Sequence, residues 1–410
     1  MQVNSFHPDV VMMGIGYIGL PTSAVIASQN IKVLGVDINP EVVKTINEGK
    51  IHIVEPDLAG LVKKVVEDGY FRASEKPEKA STFVIAVPTP VREDHSPDLR
   101  YVESAVRMIL PYLEPGNLVI IESTSPVGTT EKMKDLIETE RPELKGKINM
   151  AYCPERVLPG KMLYELRHND RTIGGIDKAS TEKAIDFYRK FVEGNLYPTN
   201  ARTAEMVKLV ENASRDVQIA FANELSLISD KAGIDVWELI ELANKHPRVN
   251  ILRPGTGVGG HCIAVDPWFI VSDYSDEARL IRTAREINTY KTEWVIDKIK
   301  QKAAEFEAEH GRKPVIAAMG LAFKPDIDDL RESPALYVAT ALKMQGFDIL
   351  ASEPNVHSTQ VNGLNLTDWK EALEKADIIT FLVAHKEFKG VKISGNKTVL
   401  DFVNTGYIAG

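Results

Sequence analysis

Three residue groups in this chain carry types and spacings suited to chemistry. The first surrounds Cys262, one of only two cysteines, in Thr256-Gly257-Val258-Gly259-Gly260-His261-Cys262-Ile263-Ala264-Val265-Asp266-Pro267-Trp268-Phe269. Glycine at 257, 259 and 260 lets the main chain approach a ligand closely, and His261 and Asp266 add polar groups. A thiol at such a place can add to an aldehyde; loss of hydride from that adduct leaves a thioester that water cleaves. The second group is Gly14-Ile15-Gly16-Tyr17-Ile18-Gly19, which follows a strand-like run and opens a helical one. Its first glycine permits a tight turn, its second lets the main chain approach a pyrophosphate, and its third allows close helix–strand packing. Asp37 closes the next strand, 18 residues after Gly19, and no Arg follows it in Ile38-Asn39-Pro40, so NAD is expected over NADP. A glycine triplet with a thiol predicts oxidation of an alcohol through an aldehyde to an acid. The third group is Lys208, Asn212 and Arg215, spaced four and then three residues apart and therefore on one helical face. Lys208 there suits a developing oxyanion, and Asn212 suits a water or an oxyanion.

A lone cysteine is more often a small buried apolar residue, and Cys153, in Tyr152-Cys153-Pro154-Glu155-Arg156-Val157-Leu158-Pro159-Gly160, is the rival nucleophile. That segment ends a strand, as do Ala86-Val87-Pro88-Thr89-Pro90 and Glu122-Ser123-Thr124-Ser125-Pro126-Val127-Gly128. Ligands of open parallel sheets lie beyond the carboxyl ends of the strands, so all three segments are expected to face one cleft.

The elements that position these groups follow from apolar patterning. Val10–Met13, Lys32–Val36, Thr82–Val87, Asn117–Ile121 and Ile148–Cys153 read as strands separated by amphipathic helices, which predicts a parallel sheet covered on both faces. Thr203 to Asp230 contains no Gly or Pro and carries apolar residues at helical spacing, which predicts a long helix; Val236–Ala243 is a shorter one. Residues 246–275 read as loop-rich and about 277–309 as helical. Strands return at Val315–Met319, Asp348–Ala351, Ile378–Val383 and Val399–Phe402. The fold class expected is α/β, with domains at 1–200, 201–309 and 310–410.

Composition sets bounds. The chain has 410 residues, 44% hydrophobic, and a formal net charge of −9, which gives no support to nucleic acid as a partner. Two distant cysteines make neither a disulfide framework nor a zinc site, so no metal is expected and a reducing cytoplasm is the natural compartment. Met1-Gln2-Val3-Asn4-Ser5-Phe6-His7-Pro8-Asp9 has no basic region leading into an apolar core, and no apolar run is long enough to insert in a membrane.

These motifs, together with Ile51-His52-Ile53-Val54-Glu55-Pro56-Asp57-Leu58, Arg202-Thr203-Ala204-Glu205-Met206, His246-Pro247-Arg248-Val249-Asn250-Ile251-Leu252 and Phe323-Lys324-Pro325-Asp326-Ile327-Asp328-Asp329-Leu330-Arg331-Glu332-Ser333-Pro334, are collinear over nearly the whole chain. They resemble the UDP-glucose/GDP-mannose dehydrogenase family. The resemblance implies two Rossmann-like parallel-sheet domains joined by a helical domain built on the long helix, with cofactor and substrate meeting between the α/β domains. It implies four-electron, NAD-dependent oxidation at C6 of a UDP-N-acetylhexosamine. UDP-N-acetyl-D-mannosamine is the expected substrate; UDP-N-acetylglucosamine and UDP-glucose are alternatives, with GDP-mannose further off. The family's catalytic residues fall on Cys262, Lys208, Asn212, Asp266, Thr124 and Glu155: thiol nucleophile, oxyanion-stabilising lysine, Asn, two organisers of the hydrolytic water (Asp266 and Thr124), and a base. Its NAD contacts fall on Tyr17, Ile18, Asp37, Thr89, Thr124 and Arg331, beside Gly14, Gly16 and Gly19. Its sugar-nucleotide contacts fall on Arg156, Val157, Lys208, Asn212, Arg215, His246, Arg248, Gly259, Phe323 and Lys324. His246 and Arg248 are expected to come from the neighbouring subunit of a homodimer built around the long helix.

Overall fold

The computed structural model describes residues 6–158, 160–260 and 262–409. The chain divides into two compact units, one up to Val210 and one from Glu211.

The first unit is built on strands β1 (Val10–Met13), β2 (Val33–Val36), β3 (Phe71–Ser74), β4 (Thr82–Ile85), β5 (Leu118–Ile121), β6 (Asn149–Tyr152), β7 (Arg171–Gly175) and β8 (Leu196–Asn200). They form one sheet in the order β3-β2-β1-β4-β5-β6-β7-β8. Alternate side chains serve opposite faces, and both faces are buried. Val10 and Met12 join a core with Leu20 and Val25, whereas Val11 and Met13 join another with Phe83 and Val106. This is why β1 reads as a continuous apolar run rather than an alternating one. All nine residues of the helix Gly19–Ala27 are buried.

The expected all-parallel sheet holds from β3 to β6, but β7 runs antiparallel to β6 and pairs in parallel with β8. Neither of these last strands was anticipated. β7 reads Arg-Thr-Ile-Gly-Gly, and a Cβ at Gly174 would lie 2.2 Å from the carbonyl oxygen of Asn200. The glycine that lets the neighbouring chain pack also removes the β-branched signal of a strand.

The second unit contains most of the helix Ala201–Ala232, then helices Val236–Ala243, Asp266–Asp273 and Arg279–His310. A four-stranded parallel sheet follows, in the order Asp348–Ser352, β9 (Val315–Met319), Ile378–Phe381, Thr398–Asp401. Ile316 and Ala318 face one core, and Ala317 and Met319 the other. Asp266–Asp273 falls inside the stretch expected to be loop. Its Pro stands in the first helical turn, and Phe269, Ile270 and Val271 are buried. The segment is too short for its periodicity to be read from the sequence.

The two sheets repeat one local device. Gly14 (φ +87°) donates its N–H to Val36, and Gly320 (φ +89°) donates to Ser352, each across the turn that leaves the first strand. No helix among the described residues is long and apolar enough to cross a membrane.

Candidate active site

In the first unit the glycine turn has the shape of a cradle. A Cβ at Gly14 would lie 2.7 Å from the Ala86 carbonyl oxygen, and one at Gly19 would lie 1.8 Å from that of Gly14. A Cβ at Gly16 would meet nothing within 4 Å, so that glycine leaves open space at the start of the helix. Main chain bordering open space at a helix N-terminus suits a pyrophosphate. Ile18 is half-buried, whereas Tyr17 is exposed. The half-buried Asp37 is oriented by two amides: Ile15 N–H donates to its Oδ2 at 3.4 Å and Asn39 N–H to its Oδ1 at 3.0 Å. These residues fit the pyrophosphate and adenosine ribose of a dinucleotide.

Two of the strand-end loops are joined directly. Ser123 Oγ accepts from Val87 N–H at 2.9 Å and donates to the Val87 carbonyl at 2.8 Å. Thr89 and Thr124, on these loops, are both half-buried. The loop bearing Thr124 runs into the helix Thr129–Glu140, whose first turn is held by Glu205. That carboxylate accepts from Gly128 N–H at 2.6 Å, Thr130 N–H at 2.8 Å and Thr130 Oγ1 at 2.6 Å. Burial pushes the Glu205 carboxyl above its ordinary range against these donors.

One helical turn further, Lys208 Nζ donates to the main-chain carbonyl of Glu155 at 3.0 Å. The Glu155 side chain points elsewhere: its Oε2 lies 2.8 Å from Arg171 Nη2, with both side chains buried. The loop assigned to the substrate therefore meets Lys208 through its main chain, while its carboxylate is anchored beneath it. The anchor is a buried cluster. Arg171 lies over the Tyr188 ring, its guanidinium carbon 5.1 Å from the centroid, and Tyr188 Oη donates to Glu122 Oε1 at 2.6 Å. Burial, opposed by the Arg171 charge, raises the Glu122 carboxyl to about 7. Cys153 lies in the same cluster, and desolvation pushes its thiol up to about 12. A thiol that is buried and protonated at neutral pH is no nucleophile, which removes Cys153 as the rival. Arg156 and Val157 are half-buried; Arg156 Nη2 donates to the Asp170 carbonyl.

In the second unit three expected catalytic residues come together. Cys262 is exposed, and its carbonyl accepts from Val265 N–H at 3.1 Å and Asp266 N–H at 2.8 Å, a turn that leads into the helix Asp266–Asp273. The buried Asp266 accepts from Asn212 Nδ2 at 2.5 Å. His261 lies outside the described residues, as does Pro159. The glycines before Cys262 are tightly packed: a Cβ at Gly259 would lie 2.3 Å from the Glu332 carbonyl and one at Gly260 would lie 2.8 Å from the Phe323 ring. Gly259 and Phe323 are thus brought together, and Gly260 N–H donates to the Arg331 carbonyl at 3.3 Å. The Arg331 guanidinium forms a two-point pair with Asp329, at 2.9 and 2.6 Å. Lys324, Arg215, His246 and Arg248 are exposed. His246 Nδ1 accepts from Arg248 N–H at 3.3 Å.

A buried polar chain supports the Cys262 segment from behind. Arg285 Nη1 donates to Asp216 Oδ1 at 2.6 Å, Asn288 Nδ2 donates to the same oxygen at 2.8 Å, Asn223 Nδ2 donates to Asn288 Oδ1 at 2.8 Å, and Gly255 N–H donates to Asn223 Oδ1 at 2.9 Å. Sequence reasoning missed these residues, and also Glu55, Glu122, Arg171 and Glu205. The available signal was charge at apolar positions: Glu205 stands between Ala204 and Met206, and Asp216 lies three residues beyond Ala213 on the apolar face of the long helix.

Asp326, His385 and Glu387 bring ligand-type atoms within 4.8 Å of one another. Both ring nitrogens of His385 already have protein partners: Nδ1 accepts from Asp326 N–H at 3.0 Å and Nε2 lies 3.0 Å from Glu353 Oε2. Glu353 Oε2 also accepts from Leu321 and Ala322 N–H, at 2.7 and 2.8 Å. The group fastens the turn after β9.

Comparison with known proteins agrees with this geometry. Models of the UDP-glucose/GDP-mannose dehydrogenase family match in three parts: the NAD-binding domain over residues 9–192, the central domain over 202–290 and the UDP-binding domain over 317–405. The chain belongs to this family. It is 54% identical over 395 residues to UDP-N-acetyl-D-mannosamine dehydrogenase of Escherichia coli K12, covering 93% of this chain and 94% of that one. It is 53% identical over 391 residues to NDP-N-acetyl-D-galactosaminuronic acid dehydrogenase of Ralstonia nicotianae, covering 93% and 91%. Among solved structures, UDP-D-ManNAc dehydrogenase of Pyrococcus horikoshii superimposes with a TM-score of 0.87 at 38% identity, covering 98% of each chain. The chain is an NAD-dependent oxidoreductase with a mixed α/β fold carrying one mainly parallel eight-stranded sheet and one parallel four-stranded sheet.

Proposed function

We propose that the protein oxidises UDP-N-acetyl-D-mannosamine at C6 to the uronate through a covalent adduct on Cys262. The observation that carries this reading is the pairing of Asn212 with the buried Asp266 at the turn that presents an exposed Cys262. Gly14, Gly16, Tyr17, Ile18, Gly19, Asp37, Thr89, Thr124 and Arg331 would hold NAD, which when bound would supply the hydride acceptor for two oxidations. The chain supplies the rest. Lys208 stabilises the oxyanions with its positive charge. The Cys262 sulfur adds to the aldehyde carbon, and the resulting thiohemiacetal loses its C6 hydride to leave a thioester. Water then breaks the carbon–sulfur bond, releasing the carboxylate and restoring the thiol. Asp266 and Thr124 organise that water, and Asn212 holds Asp266 for the task. The Glu155 carboxylate must leave Arg171 to act as a base; its carbonyl meanwhile orients Lys208.

Arg156, Val157, Lys208, Asn212, Arg215, Gly259, Phe323 and Lys324 bind the sugar nucleotide in this reading, with His246 and Arg248 reaching the site of a neighbouring subunit. Support for a homodimer comes from the long helix, where Val210, Phe221 and Ile228 are 42%, 52% and 56% exposed at spacings of eleven and seven residues, an apolar stripe that the described residues leave uncovered. The division into domains at 1–200, 201–309 and 310–410 is supported by the three consecutive family matches. A cytoplasmic location and a role in surface polysaccharide synthesis follow from the substrate.

The relative named for an N-acetylgalactosaminuronic acid favours testing the sugar epimers side by side. The experiment is NADH formed per sugar nucleotide consumed, with the UDP-linked N-acetyl forms of mannosamine, glucosamine and galactosamine offered separately. Two NADH from the mannosamine substrate alone is expected. Two from another epimer changes the substrate; one, with aldehyde accumulating, removes Cys262 from its role.

A further inference from the structure

The segment that follows β6 carries Arg156 and Val157 and is gripped along one edge by carboxylates. Arg156 N–H donates to Glu155 Oε1 at 2.6 Å, Leu158 N–H to Glu165 Oε2 at 2.7 Å, Gly160 N–H to Glu55 Oε2 at 2.7 Å and Met162 N–H to Glu55 Oε1 at 2.8 Å. Every second amide from 156 to 162 thus ends on a carboxylate oxygen. Glu55 comes from a loop more than a hundred residues earlier, is 6% exposed, and uses its two oxygens on two amides. Glu155 is fixed in turn by Arg171. A carboxylate accepts only, so the three acids together define a single register of donors along the segment.

We infer that Glu55, Glu165 and the Glu155–Arg171 pair are positioning residues that set the main-chain register of residues 156–158 and 160–162 and thereby place Arg156 and Val157 against the sugar. This rests on the proposed function, in which those two residues touch the UDP-sugar. A slip of one residue would offer the acids Val157 and Lys161 N–H but, at 159, a proline with no N–H to donate, and would swing the side chains at 156 and 157 away. Glu55 is the decisive member. Glutamine has the same size, but its NH2 would face an amide N–H, donor against donor, so one of the two grips is lost.

The test uses the full-length protein with Glu55→Gln, and Glu165→Ala, which removes the acceptor of Leu158 N–H at a half-buried position, as a milder second variant. For Glu55→Gln the KM for the UDP-sugar is expected to rise about tenfold or more, the KM for NAD to stay within about twofold, and hydrogen exchange at the amides of 158, 160 and 162 to accelerate. Glu165→Ala is expected to change in the same direction by less. An unchanged KM for the UDP-sugar in either folded variant, or an equal rise in both KM values, overturns the inference. If Glu55→Gln fails to fold, Glu165→Ala decides alone. Wild-type protein in the same assay decides separately whether a UDP-N-acetylhexosamine is the substrate at all, and the exchange measurement is independent of which sugar that is.

Discussion

The buried cluster beneath the substrate segment makes a quantitative prediction. Glu122, Glu155, Arg171, Tyr188 and Cys153 face one another there, and the Glu122 carboxyl is raised from 4.5 to about 7, by desolvation first. Arg171 already has the Glu155 carboxylate as its partner at 2.8 Å, so ionising Glu122 as well adds a second buried carboxylate beside one guanidinium. Below pH 4.5 the carboxyl is protonated in both folded and unfolded chains. Between 4.5 and 7 the folded chain keeps a proton that the unfolded chain has lost, so stability falls as pH rises through this window, then levels. At about 1.4 kcal/mol per tenfold change in proton affinity, the fall amounts to roughly 3 kcal/mol. Glu122→Gln removes the titration while keeping an oxygen to accept from Tyr188. Urea unfolding at pH 5, 6, 7 and 8, followed in the transition of the first unit and without cofactor, is expected to show a variant close to wild type at pH 5 and more stable at pH 8 by a few kcal/mol. Other titrating groups are common to both proteins and cancel in the difference. A wild-type-minus-variant stability that does not change between pH 5 and pH 8 would show that Glu122 is ionised throughout and that the charge count of the cluster is wrong.

Other outcomes follow from the site. Cys262→Ala is expected to lower release of the uronate by on the order of 10³ or more, measured by product chromatography; ordinary acid formation would exclude a thioester on this residue. Asp37→Ala is expected to weaken NAD roughly tenfold to a hundredfold, the worth of charge-assisted hydrogen bonds to a ribose, with little effect on UDP-sugar binding by calorimetry. Phe221→Glu places a charge in the exposed apolar stripe of the long helix, and sedimentation is expected to show a protein of half the wild-type mass. A wild-type protein that sediments as a monomer refutes the dimer directly.

Strands buried on both faces announce themselves as unbroken apolar runs, so Val10–Met13 and Val315–Met319 were legible to the residue; helical spacing made Val236–Ala243 legible as well. The end of the first sheet was not, since Gly174 and Gly175 are required by close main-chain packing and carry no side-chain signal. Cys262, Lys208 and Asn212 stand out in the sequence as candidates because a thiol among glycines and a polar stripe on an otherwise apolar helix each have an evident chemistry. The acids that hold the loops do not. Glu55 sits in a mixed run with no regular spacing, Ile53-Val54-Glu55-Pro56-Asp57, and its partners are main-chain amides more than a hundred residues away. Main-chain partners leave no trace in the residue alphabet, so a carboxylate that holds a loop looks the same in sequence as one facing water.

The long helix shows why its polar stripe is not simply a solvated face. Glu205, Lys208 and Asn212 stand three and four residues apart, which keeps them on one side over about 10 Å of helix. Each is engaged by a different segment: Glu205 with the start of the helix Thr129–Glu140, Lys208 with the Glu155 carbonyl, Asn212 with Asp266. A loop would allow Glu205 and Lys208 to move independently, each with its own conformational entropy to lose. A helix free of Gly and Pro from Thr203 onward fixes the spacing of these two through its own hydrogen bonds before any ligand arrives. The absence of helix breakers is therefore as much a part of the proposed catalytic arrangement as the lysine itself.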